Sequence, residues 1–324
     1  MLQIDGANDL LLTCEDVADG VAILRCETRD PAVRLPDEIG GRPVAALGEY
    51  ALSARAPGLT GRQTYPVHIS CGGPAPVHDA GAVKHVTLPE HLTRVGRYAF
   101  YNCRNLQSLS LAASVTDFSG GALMNCTALR AVTVRLAEGA PTCLQRLLGE
   151  HAGELDVCLA FGEQQARLLF PAYSEDLQEL FAPHIFQRRI EGAGYAYRQC
   201  FERGVLQFAQ YDGAFYRLLQ THAFDVAARV ASCRLRWPFA LSAQARAQYL
   251  DCLRAHGGAL ACNLAARGET QALAFLLSLG VLPRQDLGTA CDAARRHGHT
   301  ETLTVLLDAV SRQPHAGLHK TFDL

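Results

Sequence analysis

One internal repeat constrains this chain more than any other feature. Shifted by 23 residues, Val86-Thr87-Leu88-Pro89 falls on Leu109-Ser110-Leu111-Ala112. The same shift carries Val95 to Phe118, Ala99-Phe100 to Ala122-Leu123, Asn102-Cys103 to Asn125-Cys126 and Leu106 to Leu129. A further shift lands on Val132 and Val134, and an earlier unit is visible in Val33-Arg34-Leu35-Pro36 with Leu47-Gly48 and Tyr50-Ala51-Leu52. A unit this short, built on an apolar-x-apolar strand, cannot cover its own apolar face. Stacked neighbours bury it in one continuous core. Strand alternation then turns Val86/Leu88, Leu109/Leu111 and Val132/Val134 inward. It leaves two outward ladders, His85–Ser108–Ala131 and Thr87–Ser110–Thr133, with Arg34 on the first unit.

A period in the twenties with this strand is the leucine-rich repeat pattern. Residues 86–106, Val-Thr-Leu-Pro-x-x-Leu-x-x-Val-Gly-x-x-Ala-Phe-x-x-Cys-x-x-Leu, resemble the BspA-like leucine-rich repeat. Residues 35–48 resemble that family's common first repeat, and residues 18–24 its N-terminal hairpin. The resemblance runs over about residues 10–135 and departs from the family where 53–82 insert a Gly/Pro-rich stretch. In the third unit Ala112 and Ser119 replace the expected Pro and Gly. It implies a solenoid that binds other macromolecules and no catalytic chemistry.

The reading changes in the second half. Residues 163–170 suit a helix by propensity, Pro171 and Pro183 punctuate, and a small hairpin is expected around Glu202-Arg203-Gly204. From Asp212 apolar residues recur at helical spacing (Phe215, Leu218, Leu219, Phe224, Ala227, Ala228), and Ser242 is an N-cap candidate. A second repeat has a 30-residue offset: Ala261 meets Cys291, Gly268 meets Gly298, Thr270 meets Thr300 and Leu273 meets Leu303. It resembles ankyrin-type helix pairs over about 258–310, without their Thr-Pro-Leu-His signature. The expected fold is an α+β repeat protein. A leucine-rich-repeat solenoid with a hairpin cap occupies 1–160, and a mainly helical, ankyrin-like domain occupies 161–324.

Composition narrows the function classes. The chain has 324 residues, 49% of them apolar, enough to bury a core. Its formal charge is −2 with no dense basic block, so nothing draws it to nucleic acid or an anionic membrane. The longest apolar run, about 272–282, is interrupted by Ser278 and Gly280 and falls short of a span. Met1–Asp9 lacks a basic segment followed by an apolar one, so a cytoplasmic location is expected. Twelve cysteines without a Cys-x-x-Cys fit reduced thiols.

No motif assembles a catalytic, cofactor or metal site. Cys103 and Cys126, one repeat apart, are read as turn-filling side chains bonded to backbone. Cys14 and Cys26 flank the proposed hairpin and are expected to stay reduced. His297-Gly298-His299 flank a helix turn, and Glu175-Asp176, read as helical neighbours, point apart. Gly192-Ala193-Gly194 lacks the third glycine of a dinucleotide loop. The candidate site is therefore the strand face itself: Arg34, His85, Thr87, Ser108, Ser110, Ala131 and Thr133, with Tyr98 and Tyr101 as alternative contacts. The expected function is a non-enzymatic scaffold binding a protein partner. A surface adhesin and an enzyme or metal protein hidden in 160–240 are the alternatives.

Overall fold

The computed structural model describes residues 2–6, 8–72, 76–179 and 186–312. Two compact units divide the chain, Met1–Ala214 and Phe215–Leu324.

The first unit opens with β1 (Leu2–Asp5), β2 (Leu10–Val17) and β3 (Gly20–Glu27). β2 and β3 form the expected N-terminal hairpin. The first coil runs through β4 (Ala32–Arg34), β5 (Glu38–Ile39) and β6 (Arg42–Leu47). Gly40 and Gly41, both at positive φ, turn β5 onto β6. The 53–82 insertion contributes β7 (Tyr65–Ser70), which pairs with β2 antiparallel and with β1 parallel. The insertion therefore widens the cap's sheet by a strand between β1 and β2. Successive coils follow as β8 (His85–Thr87) with β9 (Arg94–Val95), β10 (Ser108–Ala112) with β11 (Asp117–Phe118), and β12 (Ala131–Arg135) with α1 (Leu144–Gly149). β13 (Leu155–Phe161) and β14 (Gln164–Phe170) complete the stack.

Two sheets face each other across the core. One has the order β14-β13-β12-β10-β8-β4; the other runs β1-β7-β2-β3-β6-β9-β11. The 23-residue offset is the register: Ser108 lies opposite both His85 and Ala131, and Ser110 opposite both Thr87 and Thr133. The inward set is buried throughout, with Val86, Leu88, Leu109, Leu111, Val132 and Val134 at most 1% exposed. The coils also stack at their far turn, where Phe100 N–H donates to the Ala122 carbonyl at 3.0 Å and Leu52 N–H to Ala99 at 2.8 Å.

Residues 163–170 are not helical. Gln164–Phe170 form β14, antiparallel to β13, after a turn at Gly162 (φ 62) and Glu163. Helix propensity favours this stretch, but Ala166, Leu168 and Phe170 alternate and are all fully buried on the core face. Burial of that face outweighs a propensity worth tenths of a kcal/mol per residue. The boundary between units accordingly falls at Ala214/Phe215 rather than at 160/161. Beyond β14 the unit continues with β15 (Ser174–Glu179) and β16 (Phe186–Glu191), then α2 (Gly194–Arg198). Glu175-Asp176 sit on β15, not on a helix, and Pro183 lies outside the described residues. β17 (Phe201–Glu202) and β18 (Val205–Leu206) form the expected small hairpin around Arg203 and Gly204, both at positive φ, and α3 (Phe208–Gly213) follows.

The second unit is helical: α4 (Phe215–Gln220), α5 (Phe224–Arg236), α6 (Ala243–Arg267), α7 (Thr270–Ser278), α8 (Arg284–Arg296) and α9 (Thr300–Arg312). Ser242 caps α6, its side chain accepting from Ala245 N–H at 3.1 Å. The 30-residue repeat is two helix pairs, α6/α7 and α8/α9. Each pair turns at a left-handed glycine, Gly268 (φ 68) or Gly298 (φ 74). The turns are closed alike, by Glu269 N–H to Leu264 and His299 N–H to Ala294, both at 3.0 Å.

Candidate functional site

The structure brings the predicted strand-face residues together. Arg34 pairs in register with Thr87, which continues the ladder Thr87–Ser110–Thr133 outward to a fourth strand. His85 and Arg34 are exposed, and the other five are half-buried. His85 Nδ1 and Ser108 Oγ lie 2.8 Å apart across neighbouring coils. The residues of this face are mostly small and polar.

The face extends beyond the residues read from sequence. β12 and β13 pair so that Asp156 follows Ala131 and Cys158 follows Thr133. Burial raises the Asp156 carboxyl above its ordinary value, against the pull of Arg167. Arg135 continues the outward parity of Ala131 and Thr133. It donates to Ser110 Oγ at 2.6 Å, reaches the Leu88 carbonyl at 3.3 Å and forms an ion pair with Glu90. It thus ties three coils at one edge of the face. One further step of alternation past Thr133 would have found it.

A second surface lies on the opposite edge, at the turns after β6, β9 and β11. Tyr50 and Tyr98 occupy equivalent positions of consecutive coils, both in the left-handed region (φ 55 and 57). Their rings stack with centroids 5.3 Å apart and planes 17° apart. Tyr101 meets both edge-on, at 6.2 and 5.9 Å. On the third coil the equivalent residue is Gly121 (φ 73), and a Cβ there would sit 2.4 Å from the Tyr98 ring. Glu150 accepts the Gly121 N–H at 2.7 Å. Met124, one repeat after Tyr101, is 49% exposed. The Arg55 and Arg97 guanidinium carbons lie 5.0 and 5.6 Å from the Tyr50 and Tyr98 centroids. From behind, buried Arg25 holds the turn through the carbonyls of Tyr50, Ser53 and Arg55, at 3.2, 2.7 and 3.1 Å. Tyr98 and Tyr101 were legible as candidates. Tyr50 is marked in the sequence only as a position of the repeat.

The other chemical candidates lie outside these two surfaces. Cys103 and Cys126 each donate to a carbonyl of the preceding coil, not to their own turn. Cys14 and Cys26 are free and buried, and burial raises both thiols to about 12. The His297 and His299 rings stack at 6.4 Å, and His299 Nε2 contacts the Ala266 carbonyl at 3.1 Å. Among the described residues no three His, Cys, Asp or Glu side chains converge as a metal site would need. No helix among them is long and apolar enough to cross a membrane.

These repeats have a counterpart among known families. A family model described as BspA type leucine rich repeat region (6 copies) matches residues 78–138. The N-terminal unit carries leucine-rich repeats. A crystal structure of a T. pallidum leucine-rich repeat protein also matches, at 20% identity over 46% of this chain and 78% of the other. Its TM-score is 0.19. The strand register, not that superposition, establishes the coil. No curated protein matches the chain. Leucine-rich repeats are generally protein-interaction modules, consistent with a scaffold role.

Proposed function

We propose that the chain is a non-enzymatic scaffold that holds a protein partner on the strand face of its coil. The observation that supports this is the in-register ladder pair led by His85 and Arg34, whose rungs Thr87, Ser108, Ser110, Ala131 and Thr133 are no bulkier than threonine, with Arg135 laid along one edge. Small residues in parallel rows let a partner's backbone or flat surface approach closely, and the hydroxyls supply hydrogen bonds. Nothing on this face supplies a nucleophile, a base to activate it and an oxyanion donor together. The two C-terminal helix pairs add a second repeat surface of ankyrin-like kind. Its support is the repeated glycine turn and the Thr270–Thr302 hydroxyl contact at 2.9 Å between pairs. The partner is a protein rather than nucleic acid or membrane, and the compartment is the reducing cytoplasm. The twelve free thiols are the support for that compartment.

The test uses the full chain with a photo-crosslinking amino acid at Thr87 or Thr133, exposed to native extract. A discrete crosslinked protein, displaced by excess unlabelled wild type but not by Ser110→Arg, is the expected result. Crosslinks that are diffuse, or equally displaced by both competitors, would refute the assignment.

A further inference from the structure

We infer that the Tyr50–Tyr98–Tyr101–Met124 edge is a second docking surface, and that its occupant is an acidic segment of a partner protein carrying an apolar anchor. This rests on the chain's being an interaction protein, but it uses the edge opposite the strand face.

The backbone supplies the first argument. Tyr50 and Tyr98 are bulky residues held at φ 55 and 57, a region that costs them energy and costs glycine none. The third coil shows that the turn itself needs no side chain, because Gly121 occupies the same place at φ 73. Two coils therefore keep a strained tyrosine where the fold accepts glycine. The result is a contiguous patch of three half-buried rings, extended onto the third coil by exposed Met124. Tyrosine, methionine and arginine are the residues that protein interfaces concentrate.

Charge chooses the occupant. Arg55 and Arg97 are exposed, each beside a tyrosine ring, and neither forms an ion pair with a carboxylate among the described residues. Arg42, Arg62 and Arg135 are paired, with Asp16 at 2.9 Å, Glu15 at 2.8 Å and Glu90. Arg34, Arg94 and Arg104 are exposed without an ion pair among the described residues, and what distinguishes Arg55 and Arg97 is that each lies beside a tyrosine ring of the patch. Glu49 is the nearby exposed carboxylate in sequence, and Glu150 is committed to the Gly121 N–H. Two unneutralised guanidinium groups framing an apolar patch fit a segment with carboxylates on either side of an apolar side chain. Arg25, bonded to the carbonyls on both sides of Ser53, is the positioning residue for Tyr50 and Arg55.

The experiment pans a displayed library of random 12-residue peptides on the full chain. Three variants are panned in parallel: Tyr98→Gly, the double change Arg55→Glu with Arg97→Glu, and Ser110→Arg. Tyr98→Gly copies the third coil, so it removes the ring while keeping the turn, and circular dichroism checks the fold of each. The expected result is enrichment of peptides with two or more carboxylates around an apolar residue. Their binding should fall at least tenfold on Tyr98→Gly and on the arginine double variant, and hold on Ser110→Arg. Enrichment of cationic or uncharged peptides overturns the inference. So does enrichment that both edge variants retain, or no enrichment at all. Peptides lost only on Ser110→Arg would support the strand face and overturn this one. A dimer in sedimentation equilibrium that Tyr98→Gly dissolves would make a second copy the occupant, and would also overturn it.

Discussion

Cys126 Sγ donates to the carbonyl of Phe100 at 3.2 Å, a residue of the preceding coil. Cys103 repeats the bond one coil earlier, to Leu52 at the same distance. A thiol is a weak donor, small enough for the turn and able to satisfy a carbonyl the adjacent coil leaves open. Burial raises the Cys126 thiol to about 12 and Cys103 further still. Both should resist a thiol reagent at pH 8 in the native protein and react only on unfolding, whereas exposed Cys71 should react without unfolding. Modification of Cys103 or Cys126 in the folded state, read by mass spectrometry, would show that the coil stack opens.

Leu109 is 1% exposed between coils, and its neighbour Ser108 faces outward. Leu109→Asp buries an unpaired carboxylate and should cost at least about 3–5 kcal/mol, enough to unfold the first unit. Ser108→Arg should change stability by less than about 1 kcal/mol, since it loses only the surface contact with His85. Urea melts of the two variants compare the faces directly. Similar losses from both would mean the strand parity is reversed.

Arg198 is 3% exposed and directs its guanidinium at five backbone carbonyls: Leu148, Pro171, Gly194, His151 and Gly153, at 2.6–3.1 Å. These carbonyls come from the end of α1, the segment before β13, the residue after β14 and the first residue of α2. Lysine has three donors and no planar fork, so Arg198→Lys leaves buried acceptors unmet. A loss of about 2–4 kcal/mol in denaturant melts is expected. A variant as stable as wild type would mean that water replaces the guanidinium.

His151 should make stability pH-dependent. Burial chiefly, then the charges of Arg198 and Arg130, lower its pKa from 6.5 to about 4. Its Nε2 is buried without a hydrogen-bond partner among the described residues. The folded chain keeps a neutral imidazole that the unfolded chain protonates below 6.5. Stability from this group is therefore present above pH 6.5 and lost as pH falls toward 4, by about 1–3 kcal/mol. His151→Gln should flatten that part of the pH profile. An unchanged profile would place the proton uptake elsewhere.

Gly121→Ala should destabilise by about 2 kcal/mol or more, because alanine must hold φ 73 and its Cβ must displace the Tyr98 ring. Adding Tyr98→Ala should recover part of that loss, since the clash disappears while the strain remains. Strictly additive effects would mean the ring moves aside without cost.

The coil was legible because it repeats. Val86, Leu109 and Val132 each carry the same alternation at a constant offset, and a stacked unit has to keep its length for the register to hold. The outward ladders followed from that parity alone. The N-cap at Ser242 and the turns at Gly268 and Gly298 were legible because capping chemistry is local. β14 was not, since Gln164–Phe170 has good helix formers and a strand's alternation in one stretch, and local preference cannot choose between them. Neither was β7, whose partners in β1 and β2 lie about 50 to 65 residues away in sequence.

The amino-acid sequence by itself determined the coil, its spacing and which side of each strand meets solvent, because period and polarity act over one repeat. Only the tertiary structure decided where the first unit ends, how the insertion is used and which arginines are left without a counter-charge. Those outcomes depend on surfaces brought together from distant parts of the chain, where burial and pairing outweigh local preference.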